Sequence, residues 1–532
     1  MKKLLLSFTL FIVLVSCRSV EKHNIQITKL HDVEELHNDI DKLYEQLKRH
    51  HPRLYQYTSK EVLDFKFDSL KKSIKNPLDS RTFFKRLAPV VTHVKQGHVS
   101  VSSVSKWFTK KERKQLKKQK FEFYDLDFSY LEGKLWVKDY NGKDSTLVGN
   151  EIVNINGESA SELAETFKTR FASDGFNKTL HNRFVSKGFS VFYYKDKGYV
   201  DSLNVTFKSK DSLFSKMFRR IAKDEKKAKT KKALDTAFAE KVKAKKFTNA
   251  EKKAKRLAKR KQNKDNKKYG YLGKENRYTR NFSFKGKDST VAYMKLRSFT
   301  NGNYKKFYKE SFAKIDSAKT KHVVIDLRDN GGGRISEIDY LYSYLTEKDY
   351  QFITKSEVRS RTPFLKSAMS NTTPNSLKVA SALLVPIVAI YNLFKTRKKD
   401  GKIFYTFNKH TKVKAPNSLN YKGKLYVLIN GSSFSASALL STHLKATGRA
   451  TFVGEETGGA YNGTVAGIYK LYQLPTSKLK IRMGLMQIEA PQKQVPDGFG
   501  IMPDVEILPN LKDCQSNIDT ELEWVLNNIN QK

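Results

Sequence analysis

The chain has 532 residues, 101 of them lysine or arginine and 54 aspartate or glutamate, for a formal net charge of +47. That length fits three or four domains with ample material for a core, and the charge predicts attraction to anionic surfaces without selecting a fold. Only two cysteines are present, and neither an H-E-x-x-H nor a C-x-x-C spacing occurs, so no metal site and no cofactor is expected.

Residues 1–17 read as a secretory signal. Lys2-Lys3 is followed by the apolar run Leu4 to Val15, too short to span a bilayer. The run ends in Leu14-Val15-Ser16-Cys17, which looks like a bacterial lipobox. Cleavage before Cys17 would leave a lipidated cysteine, and two or more acyl chains, at ~0.8 kcal/mol per buried CH₂, anchor stably. An ordinary signal with a chance cysteine is the alternative. The expectation is a protein lipid-anchored on the periplasmic face of the cell envelope, more readily the outer membrane. Such a location sets nucleic acid aside as a partner despite the charge. With Cys17 acylated, Cys514 has no partner for an intrachain disulfide.

Residues 18–115 form a helical region. Val33, Leu36, Ile40, Leu43 and Leu47 recur at helical spacing, and Phe83, Phe84, Leu87, Val90 and Val91 form a second apolar face. The region closes with Gln96-Gly97-His98-Val99-Ser100-Val101. A lone histidine is usually structural, so His98 needs a setting before it means anything. Residues 116–209 are β-rich, and Val148-Gly149-Asn150-Glu151-Ile152-Val153-Asn154-Ile155-Asn156-Gly157-Glu158 resembles the glycine-bounded turn of PDZ domains. That resemblance implies peptide binding at a sheet edge; a module used only for packing is the alternative.

Residues 210–270 are Lys-rich. From 210 to 268 there are 24 basic and 7 acidic residues, a local net of +17. With apolar residues this sparse, the stretch predicts a solvated helical arm, dispensable for activity, with lipid-headgroup contact as the alternative. Residues 285–530 form the last domain, of α/β type. Within it, Val379 to Tyr391 is apolar, interrupted by Pro386 and followed by Lys395, Arg397, Lys398 and Lys399. A helix capping a cleft is expected there, with interfacial membrane contact as the second reading.

Two stretches of this domain carry chemistry. The stretch from His322 to Ile338 opens as an apolar strand (Val323, Val324, Ile325, Leu327) ending in Asp329-Asn330-Gly331-Gly332-Gly333, a loop whose N–H groups can approach a ligand closely. Leu425 to Ile429 is a second strand. Asn430-Gly431 turns the chain, and small residues from Ser432 to Ala438 lead into a helix that Gly448 stops. A serine at such a turn has an exposed Oγ beside outward-pointing backbone N–H groups, the arrangement a nucleophile needs. On composition alone the first stretch is equally a glycine-rich turn and the second a Ser/Ala-rich helix cap.

Taken together, the stretches resemble the C-terminal-processing and tricorn-core family of serine peptidases. Asp326-Leu327-Arg328-Asp329-Asn330-Gly331-Gly332-Gly333, Gly448-Arg449-Ala450-Thr451-Phe452-Val453-Gly454-Glu455-Glu456-Thr457 and Gly500-Ile501-Met502-Pro503-Asp504-Val505 follow its motifs. The resemblance implies a crotonase/ClpP-like α/β catalytic domain, with a PDZ-like domain and an N-terminal helical region, acting on polypeptides. It places the nucleophile at Ser435 and oxyanion donors at Ala436 and Gly332. The Ser-Lys form of the family has its lysine where this chain has Ala460, and the next lysine is Lys470. The tricorn-like form uses a Gly-His pair ahead of the PDZ-like region, which selects His98 as the base. It also places the acid three residues before the glycine of the closing motif, at Asp497, where glutamate is more usual. His443 is a rival base, though eight residues into a helix it should face the core. A peptide-binding protein without activity and an envelope scaffold holding anionic lipid are the competing readings. Oligomeric state is not legible.

Overall fold

The computed structural model describes residues 19–142, 144–210, 212–223, 248–273, 275–286, 290–508, 510–516 and 518–531. The signal, Cys17 and residues 224–247 lie outside them. After a short helix at Val20–Thr28, three longer helices follow: α1 (Val33–His50), α2 (Lys60–Ser73) and α3 (Ser80–Thr92). In α1, Glu34 and Glu35 sit in the first turn and Lys48 and Arg49 in the last, matching the helix dipole. Asp79 caps α3 by accepting from the Arg81 and Thr82 N–H groups. The short strand β1 (Ser100–Ser102) follows His98 directly.

A second body is an antiparallel sheet of β2 (Gln119–Phe121), β3 (Leu126–Leu131), β4 (Lys134–Tyr140), β5 (Glu151–Ile155), β6 (Ser202–Ser209) and β7 (Ser212–Ala222), in the order β2-β7-β6-β5-β4-β3. Asn156 (φ +51°) and Gly157 (φ +83°) make the tight turn after β5. Helices α4 (Ala160–Lys168) and α5 (Thr179–Lys197) pack on the sheet around Phe167, Val185 and Phe189.

Here one boundary expected from the sequence is corrected. β7 falls inside the Lys-rich stretch, yet it pairs with β6 from Ser212 to Arg219 and with β2 from Arg220 to Ala222. One of its side chains, Phe218, is fully buried against Phe123, Tyr140 and Phe207, enough to hold the strand on the core while its neighbours stay solvated. The stretch is therefore not dispensable as a whole. Phe218→Ala should lower stability by about 3–5 kcal/mol, read as a fall in Tm with little change in hydrolysis at low temperature. Unchanged Tm would show that β7 is not part of the folded sheet. Downstream, α6 (Asn249–Tyr269) is a solvated arm with no buried side chain. Thr248 and Glu251 form its capping box, Gly270 ends it at φ +71°, and its foot is tied down where Lys268 meets Glu310.

The last domain contains two large sheets, besides a short ladder between Tyr350–Gln351 and Val413–Lys414. Its elements are β8 (Arg280–Lys285), β9 (Val291–Leu296), α7 (Tyr304–Ser317), β10 (His322–Asp326), α8 (Ile335–Ser343), β11 (Ser356–Val358), α9 (Val385–Lys395), β12 (Thr396–Lys399), β13 (Lys402–Tyr405), β14 (Lys424–Ile429), α10 (Ala436–Ala446), β15 (Thr451–Gly454), β16 (Thr464–Gln473), β17 (Lys480–Ile488), β18 (Val505–Glu506) and α11 (Thr520–Asn530). The central sheet runs β8-β9-β10-β14-β15-β18, all parallel except β8. Alternation along its strands divides the core. Val323, Ile325, Val427 and Ile429 face α7, α8 and α10, whereas Val324, Tyr426 and Leu428 face α11.

The second sheet runs β1-β17-β11-β13-β12, with β16 beside β17. β1 thus brings the N-terminal region into the last domain, with Ser100 opposite Arg482 and Val101 opposite Ile481. Asp39 of α1 is fully buried and accepts from the Thr476 N–H, the Ser477 N–H and the Ser477 hydroxyl in the β16–β17 turn. The helical region and the last domain share one core.

Candidate active site

The strand ends of β10 and β14 lie side by side, so the loops that leave them are neighbours. Asn330 ties these loops together. Its side chain donates to the Leu296 carbonyl, and its own carbonyl accepts from the Phe434 N–H (3.1 Å) and the Ser437 hydroxyl (2.7 Å). Ser433 donates to the Leu327 carbonyl at 2.8 Å, and the Ser432 N–H is held by the Asn430 side chain. Ser433 and Ser437 are therefore spent on holding the turn.

Ser435 is placed differently. It stands at the N-cap of α10 with φ +56° and ψ −114°, a conformation that costs a non-glycine residue of order 1–3 kcal/mol. This sharp turn leaves Oγ half-exposed, and it lies 3.1 Å from His98 Nε2. Residues 337 positions apart are brought together because β1 pairs with β17. Asp174 also holds the histidine's peptide in place: its Oδ1 accepts the Gly97 N–H at 2.8 Å. Gly97 is needed here, since a Cβ would stand 2.5 Å from the Phe434 ring, which itself packs against His98.

His98 is 8% exposed. Burial, and then the charge of Arg482, lower its pKa to about 3. The free protein thus holds a neutral imidazole far below neutral pH, where a solvated histidine would already be charged. The expected profile of kcat/KM is flat from pH 8 down to about 5, falling only toward pH 3–4. A limb near 6.5 would show that the imidazole is solvated.

The other imidazole nitrogen does not meet a carboxylate. Nδ1 faces the Tyr469 hydroxyl at 3.4 Å, and Arg482 lies 3.5 Å over the Tyr469 ring. Asp497, expected as the acid, is exposed and elsewhere. It accepts from the Gln56 amide at 2.9 Å and from its own following N–H at 2.7 Å. Gln56 in turn accepts from Gln96 at 3.2 Å, so Asp497 braces the approach to His98 at two removes. Its loop packs elsewhere because the Gly498 carbonyl accepts the Phe176 N–H at 2.7 Å. The buried carboxyl bonded to the His98 segment is Asp174, on the Gly97 N–H, and its pKa is pushed up to about 7 by burial. Nothing in the sequence around Ser173-Asp174-Gly175 singles it out.

The expected oxyanion donors are also adjusted. Ala436 begins α10, and its N–H is free among the hydrogen bonds of the described residues. Gly332 lies against the nucleophile, but its N–H is given to the Asn330 side chain at 2.9 Å. Gly333, with φ +146°, is next in the loop and lines the cavity beside Ser435, so its N–H is the better second donor. That cavity is about 430 Å³ and is walled mostly by apolar groups, Ala438, Leu439, Ala460, Ala466, Tyr469 and Ile488 among them, with Asp174, Arg334 and His410 also lining it.

The rival bases are placed away from the serine. His443 is fully buried, stacked on Phe352 and bonded to that residue's carbonyl at 2.7 Å. Lys470 reaches the Lys366 carbonyl at 3.5 Å, with its pKa lowered by burial and by neighbouring cations. No cluster of three or more metal-ligating side chains exists among the described residues.

Residues 290–507 match the family model described as Peptidase family S41. Among solved structures the chain is similar to mature CPAF, at 11% identity over 92% of this chain and 95% of that one, with a TM-score of 0.57. It is also similar to mature CPAF complexed with lactacystin, at 12% identity over 94% and 99% of the two chains, with a TM-score of 0.59. At these identities the likeness concerns the fold. No curated protein matches the chain.

Proposed function

We propose that this chain, whose residues 290–507 match the family model described as Peptidase family S41, is a serine-type peptidase that cleaves polypeptides internally, through an acyl-enzyme on Ser435 with His98 as general base, in the cell envelope. The observation that carries this reading is the 3.1 Å contact between His98 Nε2 and Ser435 Oγ.

In the proposed reaction, Nε2 takes the hydroxyl proton as Oγ attacks the scissile carbonyl. The oxyanion is held by the N–H groups of Ala436 and Gly333, each contributing about 2.7–4 kcal/mol. The Tyr469 hydroxyl accepts a hydrogen bond from Nδ1–H and so orients the ring with Nε2 toward Ser435, the orienting task an acid performs in other triads. His98 then passes its proton to the leaving amine. A water deprotonated by the same nitrogen attacks the acyl-enzyme and releases Ser435. The apolar cavity beside the serine favours an apolar side chain next to the cleaved bond. A fluorophosphonate probe tests the centre directly. Labelling lost on Ser435→Ala supports the reading, whereas an unlabelled parent protein favours peptide binding without hydrolysis.

The envelope location rests on the Leu14-Val15-Ser16-Cys17 sequence. A clickable fatty acid fed to producing cells should label the protein, and Cys17→Ser should abolish that label. Retention of Met1 at the N-terminus of the purified protein would defeat the lipoprotein reading.

A further inference from the structure

The apolar stretch expected to cap the cleft does not do so. The helix Asn375–Lys395 is long and apolar enough to cross a membrane, yet only 6% of its most apolar stretch is buried. None of its side chains lines the cavity beside Ser435. Both of its ends are tied to the same domain. Before it, Asn371 and Thr372 donate to the carbonyls of Gln473 and Leu471 in β16. After it, β12 pairs with β13, and buried Asn392 accepts the Phe364 N–H. A helix pinned at both ends lies along the surface and cannot thread a bilayer.

Its outward face is continuous. Leu377, Leu384, Ile387, Tyr391 and Phe394 recur three, four or seven residues apart and are all exposed, with Ile387 at 64% and Phe394 at 74%. Leu383, at 87%, sits on the short turn that joins the two halves of the helix. From Arg359 to Lys399 the chain carries eight lysines and arginines and no acidic residue. Arg397, Lys398 and Lys399 are exposed and form no ion pair among the described residues. An apolar stripe bordered by unpaired cations is the pattern of an in-plane interfacial helix.

We infer that Asn375–Lys395 and the basic hairpin after it dock on an anionic phospholipid surface, the apolar side chains entering the acyl boundary and the cations meeting lipid phosphates. The inference stands apart from any acyl chain on Cys17 and from the peptidase chemistry. Docking would orient the active site, because Ser367, just ahead of the helix, donates to the Tyr469 carbonyl at 2.6 Å.

The test uses the chain starting at Arg18, which keeps every described residue and lacks Cys17. Flotation with vesicles of phosphatidylcholine alone, and with 30% phosphatidylglycerol, should show binding at least tenfold stronger to the anionic vesicles. Leu383→Ser/Ile387→Ser/Phe394→Ser should cut that binding at least tenfold without changing Tm or hydrolysis of a soluble peptide. Lys398→Glu/Lys399→Glu should remove the preference for anionic vesicles, and it serves as the second test should the triple variant fold poorly. Failure of the parent chain to float with anionic vesicles overturns the proposal, as does binding that survives both variants. A parent dimer in light scattering that the triple variant converts to monomer, without vesicle binding, assigns the face to a second copy and also overturns it.

Discussion

Ser435→Ala and His98→Ala should each lower kcat by a similar factor, about 10³ or more, and the double variant by little beyond either one, because nucleophile and base act as a unit. The 3.1 Å contact is the basis. Without the serine no acyl-enzyme forms. Without the imidazole, Oγ must lose its proton to water in a site where the nearest lysine candidates point elsewhere. Tyr469→Phe should cost less, about 3- to 10-fold, since it removes one neutral hydrogen bond from Nδ1. Asp497→Asn should cost less again, because its partner is Gln56 rather than the imidazole. Assays of the four variants on an unstructured protein decide the matter. A loss in Asp497→Asn equal to that of His98→Ala would mean that the 496–498 loop swings onto Nδ1 when substrate binds. Full activity in His98→Ala together with loss in Lys470→Met would reassign the base.

Gly332→Ala should abolish most activity, by about 10² or more, whereas Gly331→Ala should be tolerated. These neighbours differ in what a methyl group meets. At Gly332, φ is +103° and a Cβ would stand 2.8 Å from the Ala436 nitrogen, 2.9 Å from the Phe434 carbonyl and 2.9 Å from Ser435 Cβ. Backbone cannot step aside as a flexible side chain can, so the serine turn must shift and both oxyanion donors move with it. Losing one such donor is worth about 10²–10³ in rate. At Gly331 a Cβ meets nothing within 4 Å and φ is not positive. The measurement is kcat for each variant with Tm alongside. Equal losses would show that glycine is required at both positions for reasons other than the approach to Ser435. Full activity in Gly332→Ala would mean that the nucleophile turn is softer than its packing implies.

Contiguous residues were the most readable part of this protein. The apolar strands His322–Asp326 and Lys424–Ile429, the glycine run and the small-residue turn each depend on neighbours in the chain, so their composition carries the local geometry. Fully buried parallel strands must be apolar along their length, and a backbone passing within van der Waals reach of Ser435 must be glycine at Gly332. The Gly97-His98 pair was legible through family resemblance, although its meeting with Ser435 is long-range.

Tertiary structure decided what depends on distant groups. Four serines crowd the stretch from Ser432 to Ser437. Only the hydrogen bonds separate Ser433 and Ser437, bound to carbonyls, from Ser435, facing His98. The partner of Nδ1 is set by the packing of β16 and β17, which delivers Tyr469 and Arg482, while the loop bearing Asp497 is drawn toward Gln56 and Phe176. A Lys-rich composition hid β7, because one fully buried ring, Phe218, suffices to seat a strand whose other face is wet. The apolar run from Val379 to Tyr391 predicted a helix capping the cleft. Composition fixes how much apolar surface a helix has, but only the packing of the whole chain determines whether anything covers it.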